Sequence, residues 1–595
     1  MTLKIIHKNN TSAGQAPAPS DLDIGEIAVN SADAKLYIKD NDSAIRTFPN
    51  QTDINTSITT ATTFTQSGDD AVARTFVSKL KDVVSVKDFG AVGDGVTDDT
   101  AKIQAAIDAV AAIAEFQRPI LVIPSGSYLV TQLTWATNVS IKGDSRRSTR
   151  ITCNGGSGVH GIVAPAGQVL GGASQFIRDI YFNRAIGQSA DAINLNDASA
   201  INGIVIENCW FNGFDNAINI GDTDTAFGDV WVTDCVAELS KIGLSISGTT
   251  GGVSDDIMVN NFTAFKCPDF GIKAVNITDS TFSNIRLAWC GYQDSGSYAL
   301  YFSGCTDVVV DTLNVQSPVG QTDVTRRLFG ISGCSNFIVS SGTLRGRVGS
   351  STSTDYGMAI VGTCSNIALS NLSISGTESN STGFGISIGD GTNACNAVVI
   401  SSCQTFDTGA AGIKFSNLAN GALFGVSIVN PWKADTTTAT RPGIDLRSNG
   451  DHSVIGSYVS GANITTGHGI HASSDSDKKI ISCTAPQGIT ATSSTRVFVD
   501  SCDTQGNGNL GQVVTATIDP PSIPASSYYS TTVTLTGARV SNHVEWAPGT
   551  TTLGDLVVSV FVSTTDTVKV VLFNPTASAI DPASSTWTFK LKQLA

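Results

Sequence analysis

The chain has 595 residues, 41% hydrophobic and only 15% charged, which leaves ample apolar material for a large core and excludes a disordered chain. Its 36 Lys and Arg against 51 Asp and Glu give a net charge of −15, which repels phosphate backbones and anionic lipid and argues against nucleic acid as a partner. No stretch approaches the roughly 20 apolar residues that cross a bilayer, and the charged first ten residues lack the apolar region of a secretion signal, so neither membrane insertion nor Sec export is expected.

In chain order, residues 22–30 and 35–39 alternate as two strands around a polar turn, giving a small module over 1–50. Residues 51–83 read as a linker or neck, its first part rich in Thr, Ser and Asp. Within 84–175, residues 84–90 are strand-like, Gly93-Asp94-Gly95 is a turn, and Thr97 or Asp98 can cap a helix over 100–114 with apolar Ile103, Ala106, Ile107 and Val110 on one face. This helix is placed to cap the start of the β-rich body.

Over 176–510 the sequence repeats. A small residue before an aliphatic one recurs at Ala217, Gly243, Gly271, Ala299, Gly330, Gly357, Gly385, Gly412, Gly443 and Gly469, in steps of 26 to 31 residues. Such a step suits one coil of three short strands and is too short for a propeller blade. Two further columns support the register: Cys305, Cys334 and Cys364, and Asn336, Asn366 and Asn396. Stacked coils place like residues about 4.8 Å apart, so small Cys residues pack inward and Asn side chains hydrogen-bond along the stack. The fold class expected is all-β, a right-handed parallel β-helix. The 12 cysteines are read as buried free thiols. After about residue 511 the period stops, and strands at 531–536, 556–562, 567–573 and 586–591 indicate a C-terminal β-sandwich over 511–595.

The stretch Val86-Lys87-Asp88-Phe89-Gly90-Ala91-Val92-Gly93-Asp94-Gly95-Val96-Thr97-Asp98-Asp99-Thr100, followed by Ile103-Gln104-Ala105-Ala106-Ile107, resembles the entry to pectate-lyase-like β-helix proteins. With residues 71–75 and 80–84 before it, the segment is similar to bacteriophage tailspikes and tail fibres, and residues 22–39 resemble their virion-proximal domain. Residues 568–577 and 580–582 resemble a C-terminal sandwich of phage fibres, implying trimerisation or carbohydrate contact. The resemblance implies a homotrimer attached through its N-terminus to a phage tail or baseplate protein. It also implies residence in the virion and action outside the host cell on a capsule or lipopolysaccharide glycan.

Glycoside hydrolysis needs a protonated carboxyl at the leaving oxygen and a second carboxylate to activate water or attack. Glu238, Lys266 and Asp294 each stand five residues before the repeated small position and are expected to form one column, with Lys266 keeping a carboxylate ionised. Glu238 and Asp294 are then the catalytic pair, with Asp269 in reserve; a merely structural charged column is the competing reading. Glu207 and Glu378 are weaker candidates. Trp289 and Tyr292 offer rings for sugar faces, with Tyr298, Tyr301, Trp210 and Trp231 nearby in sequence, and Lys266 and Arg326 offer cations. A β-elimination lyase drawing on Lys266, Arg286, Arg326 and Arg327 is the second enzyme reading, and a non-catalytic adhesin the third. No cofactor and no metal are expected: His468 and His471 pair only on a helix, and no phosphate loop is present.

Overall fold

The structure is a computed structural model that describes residues 8–50, 52, 63–114, 117–185, 189–222, 226–250, 254–293, 296–317, 327–346, 356–376, 383–390, 392–431, 442–447, 450–460, 469–472, 478–485, 489–491, 497–500, 502, 513–535, 538, 540, 542–549 and 552–593. It comprises two units, residues 1–84 and 85–595.

In the first unit four strands, Lys8–Asn10, Ile27–Asn30, Lys35–Lys39 and Ile45–Phe48, form one sheet in chain order; the first pair is parallel, the others antiparallel. Its core is small, Leu22, Ala28 and Tyr37 packed on Ile45. Buried Asn30 substitutes for missing core by donating to the Ser12 and Gln15 carbonyls and accepting from the Ala32 and Asp33 N–H groups.

The second unit is a parallel β-solenoid. Each coil contributes three strands, as in Ala200–Glu207, Trp210–Asn212 and Asn216–Ile220, which pair with the equivalent strands of the next coil and build three faces. Among the described residues the third face holds 14 strands in strict chain order. Coil pairing begins well before residue 176, with Gly126–Val130 already paired to Thr149–Cys153. The helix Thr100–Ala111 buries Ile103, Ala106, Ile107 and Val110 as expected. At its start Asp98 accepts from the Thr100 N–H, as expected of a cap, although the cap position itself falls on Asp99, whose buried carboxylate instead accepts the Val92 and Gly93 N–H groups and ties the Gly-rich entry to the helix. Residues 86–89 wind into a 3-10 turn capped by Ser85, and Asp94–Asp98 is a strand, because the left-handed Gly90 and Gly93 bend the chain before it can pair.

The corners explain the composition. Many are turned by a residue at positive φ, such as Asp179, Asn208, Asp234 and Asn261 between the first and second faces, and the residue that follows these points inward. Small inward residues suit this place, so Cys209 and Cys235, Cys267 and Cys290, and Cys305, Cys334 and Cys364 stack there. The Cys305 N–H meets Cys334 Sγ at 3.3 Å and the Cys334 N–H meets Cys364 Sγ at 3.4 Å. All 12 thiols are free.

The repeat aligns Gly243, Gly271 and Ala299. A Cβ on Gly243 would stand 2.4 Å from the Gly271 carbonyl, which is why the position is small. Two column assignments shift. Ala299 stacks on Leu328 and not on Gly330, so the irregular steps of 31 and 27 become two of 29; Gly330 lies above Tyr301, where the Tyr298 ring rests against it. Asn366 donates to Asn336 at 3.0 Å, but Asn396 stands one residue early and Ala397 takes the left-handed position.

Beyond the coils, Val513–Ile518, Ser585–Gln593 and Asn542–Ala547 form one antiparallel sheet and Tyr528–Thr534, Thr567–Phe573 and Val557–Thr564 another. They share a core that includes Leu535, Val568, Val570, Trp587 and Phe589. Asn574 accepts from Thr576 and donates to the Ile523 and Ser578 carbonyls, pinning the loop that the sequence singled out.

Candidate functional site

The second face has two outward columns. One runs Asn212, Glu238, Phe265, Ala288, Gln316; the other runs Trp210, Val236, Thr263, Arg286. The strands that carry them are only three residues long between corners, so their side chains stand out from a narrow ledge. The corner residues leading to the third face are Gly213, Leu239, Lys266 and Trp289, all at positive φ, with φ of 55° and 59° at Lys266 and Trp289. A large side chain in that conformation costs on the order of 1 kcal/mol or more relative to glycine, and Leu239, Lys266 and Trp289 all carry that cost.

These columns enclose a cavity of about 380 Å³ lined by Trp210, Glu238, Phe265, Arg286, Trp289 and Gln316 among others. The Phe265 and Trp289 rings lie 5.4 Å apart, and Lys266 Nζ sits over both, 4.9 and 5.3 Å from their centroids. Trp210 is braced edge-on by Tyr181 at 6.0 Å. Among the described residues, the Glu238 carboxylate, the Arg286 guanidinium and the Gln316 amide make no side-chain hydrogen bond or ion pair. An acceptor, a cation and an amide therefore open into an aromatic-walled space, the combination that takes sugar hydroxyls while rings cover apolar sugar faces.

A second cavity of about 390 Å³ adjoins it through Val236 and Thr263. Most of its polar groups are engaged. Asn208 donates to Asp179 at 2.6 Å and Asn261 to Asp234 at 2.5 Å, Arg146 reaches the Asp234 carbonyl at 3.1 Å, and Arg178 faces Glu207 at 3.9 Å. Glu207 thus belongs to the wall of this neighbouring cavity.

The expected column of Glu238, Lys266 and Asp294 does not form. Glu238 stacks on Phe265, while Lys266 occupies the corner column of Leu239 and Trp289. The spacing misled because the turn between the second and third faces varies: the small residue comes five positions after Glu238, six after Phe265 and eleven after Ala288. Asp294, Arg326 and Glu378 lie outside the described residues. Asp269 sits in that turn, its N–H on the Lys241 carbonyl, near the Lys241 ammonium that pairs with Asp215 at 2.8 Å. Tyr292 is there too, bound through its N–H to the Pro268 carbonyl; burial, then the neighbouring thiols and Asp269, raise its phenol pKa. Neither residue lines the cavity of Glu238. His471 pairs with no second histidine among the described residues; its Nδ1 lies 3.3 Å from buried Asp445. By sequence Arg286 is a candidate for elimination chemistry alone, and Gln316 carries no signal, since its coil has Leu328 where the others have a small residue.

Residues 83–293 match the family model described as rhamnogalacturonase A/epimerase, pectate lyase-like. The chain is 29% identical over 203 residues to the tail spike protein of Shigella phage Sf6, covering 31% of this chain and 30% of that protein. It is 45% identical over 75 residues to the mannuronan C5-epimerase AlgE2 of Azotobacter vinelandii, 11% of this chain and 7% of that one. The matches thus span less than a third of these relatives. Among solved structures, the tailspike protein of E. coli bacteriophage HK620 in complex with pentasaccharide is similar over 91% of this chain and 99% of that one, at 13% identity and a TM-score of 0.43. The chain is a parallel β-solenoid with a pectate-lyase-like segment, homologous over 31% of its length to a phage tail spike protein.

Proposed function

We propose that the chain is a phage tailspike that binds a host surface polysaccharide, capsule or lipopolysaccharide, along the second face and cleaves it by glycoside hydrolysis. The observation that carries this reading is the uncommitted trio Glu238, Arg286 and Gln316 in a cavity walled by Trp210, Phe265 and Trp289. Glu238 supplies one of the two carboxyl groups that hydrolysis requires, and Asp294 and Asp269 are the candidates for the other. Trp289, with Lys266 above it, stacks a sugar ring, while Arg286 and Gln316 hold hydroxyl or carboxylate substituents. Tyr292 and Arg326 remain candidate flanking contacts. The N-terminal unit attaches to a phage tail or baseplate protein, three chains form a homotrimer, and the protein acts from the virion at the cell surface.

A second reading, elimination or epimerisation at a uronate, draws on the cations Arg286 and Lys266 beside Glu238 and on a family model that includes an epimerase. Incubation with host polysaccharide separates them. Hydrolysis yields new reducing ends without ultraviolet absorbance from an unsaturated uronate; elimination yields both. Epimerisation yields neither and is read from the changed configuration of the uronate residues; binding with no new ends and no such change would leave a receptor-binding adhesin and overturn the enzyme reading.

A further inference from the structure

The two outward columns of the second face run on above the cavity of Glu238. Gln316 pairs with Arg345 of the next coil, and Ser375 and Phe406 follow; beside them Arg286 leads to Asn314, Thr343, Ser373 and Gln404. From Arg286 upward these positions hold two guanidinium groups and no carboxylate. The acids of the same coils stand elsewhere. Asp229, Asp256, Asp279 and Asp307 stack on consecutive coils of the first face, all at positive φ, and Asp311, at the corner between the faces, accepts from the Ser340 and Thr312 hydroxyls. In a chain of net charge −15, this stretch reverses the local field.

The two arginines are also unlike others of the solenoid in what they do. Arg118 and Arg184 donate to backbone carbonyls, Arg327 to the Tyr298 hydroxyl and Arg447 to Asp445, while Arg178 faces Glu207. Arg286 and Arg345 are exposed, and among the described residues neither side chain makes a hydrogen bond or an ion pair. They stand two coils and one column apart, about 10 Å along the axis at one strand spacing per coil, with exposed Gln316 on the coil between. A guanidinium presents a planar fork of donors that matches a carboxylate or phosphate, and two such groups with no counter-charge repel each other until an anion lies between them. The hydroxyls of a neutral sugar are served here by Gln316, Asn314 and Thr343. The paired guanidinium groups call for a negative charge.

We propose that Arg345, acting with Arg286 across Gln316, is a specificity-determining residue that takes a negatively charged substituent of the glycan, a carboxylate or a phosphate, one coil above the cavity of Glu238. This rests on the glycan-binding reading above and adds that the polysaccharide is acidic and continues up the second face. The test uses the full chain and the host polysaccharide in three forms: native, with its carboxyl groups reduced to alcohols, and stripped of phosphate by cold hydrofluoric acid. Titration calorimetry is expected to show native polymer bound about tenfold more weakly by Arg345→Ala than by the wild type, with an unchanged thermal midpoint, since the side chain has no partner to lose. One of the two treatments should weaken wild-type binding by a similar factor and abolish the difference between the proteins, and that treatment identifies the anion. Wild-type binding that neither treatment changes, or equal binding of native polymer by wild type and Arg345→Ala, would overturn this assignment and leave the glycan reading standing. A wild type that binds none of the three forms would overturn both.

Discussion

The two adjoining cavities of the second face are built from the same coils and share Val236 and Thr263, yet they differ in what their polar groups do. In the one nearer the first face, carboxylates alternate with amides up the corner, so Asp179 and Asp234 are each held by an Asn of the next coil. In the other, the ledge has no such ladder: Glu238 lies between Asn212 and Phe265, and its carboxylate faces open space. Satisfied polar groups hold a solenoid together; unsatisfied ones beside aromatic rings are available to a ligand. The polar groups of the cavity of Asp179 and Asp234 therefore serve stability, and those of the cavity of Glu238 are the ones the proposed function gives to the glycan.

Substitutions can break this contrast. Glu238→Gln is expected to lower cleavage by about 10²- to 10⁴-fold while leaving the unfolding midpoint unchanged, because the carboxylate has no partner to lose; initial rates and thermal scans on one sample check both. Asp234→Ala should do the reverse, costing about 1–2 kcal/mol through the lost Asn261 hydrogen bond and the left-handed corner, with cleavage retained; a rate loss matching that of Glu238→Gln would merge the two cavities into one site. Trp289→Ala should weaken glycan binding about tenfold, roughly 1.4 kcal/mol, measured by titration calorimetry. Glu207→Gln should change stability by less than about 0.5 kcal/mol, since its 3.9 Å pair with Arg178 is solvent-screened.

Much of the scaffold was legible because a solenoid repeats its constraints. Glycine at 243 and 271 is required by the carbonyl of the coil above, and cysteine at 305, 334 and 364 by the narrow inner corner. Gly330 shows the limit: it satisfied the pattern for a different reason, the flat Tyr298 ring, while Leu328 filled the true position with bulk. Asp229, Asp256, Asp279 and Asp307 went unnoticed as a ladder because the acid sits at a left-handed bulge that no apolar spacing marks. For the site, Glu238 stands out through a spacing that the coils do not keep and Trp289 through its ring, while their neighbours carry no such mark, since turns of unequal length break any count carried from one face to the next.

The thiol corners also set an alkaline limit. Burial pushes Cys153 up to about 12, so the fold favours the protonated thiol. That contribution is complete below the ordinary thiol pKa and is lost as pH rises through about 12. Stability is expected to begin to fall above about pH 9, read as a lower thermal midpoint, and a thiol reagent at neutral pH should reach at most the partly exposed Cys502 before denaturation and all 12 thiols after it.

The most direct measurement compares wild type and Glu238→Gln on the same host polysaccharide, counting new reducing ends and bound glycan together. New ends are expected from the wild type and almost none from the variant, with equal binding by both. Equal release of ends by the two proteins would contradict it.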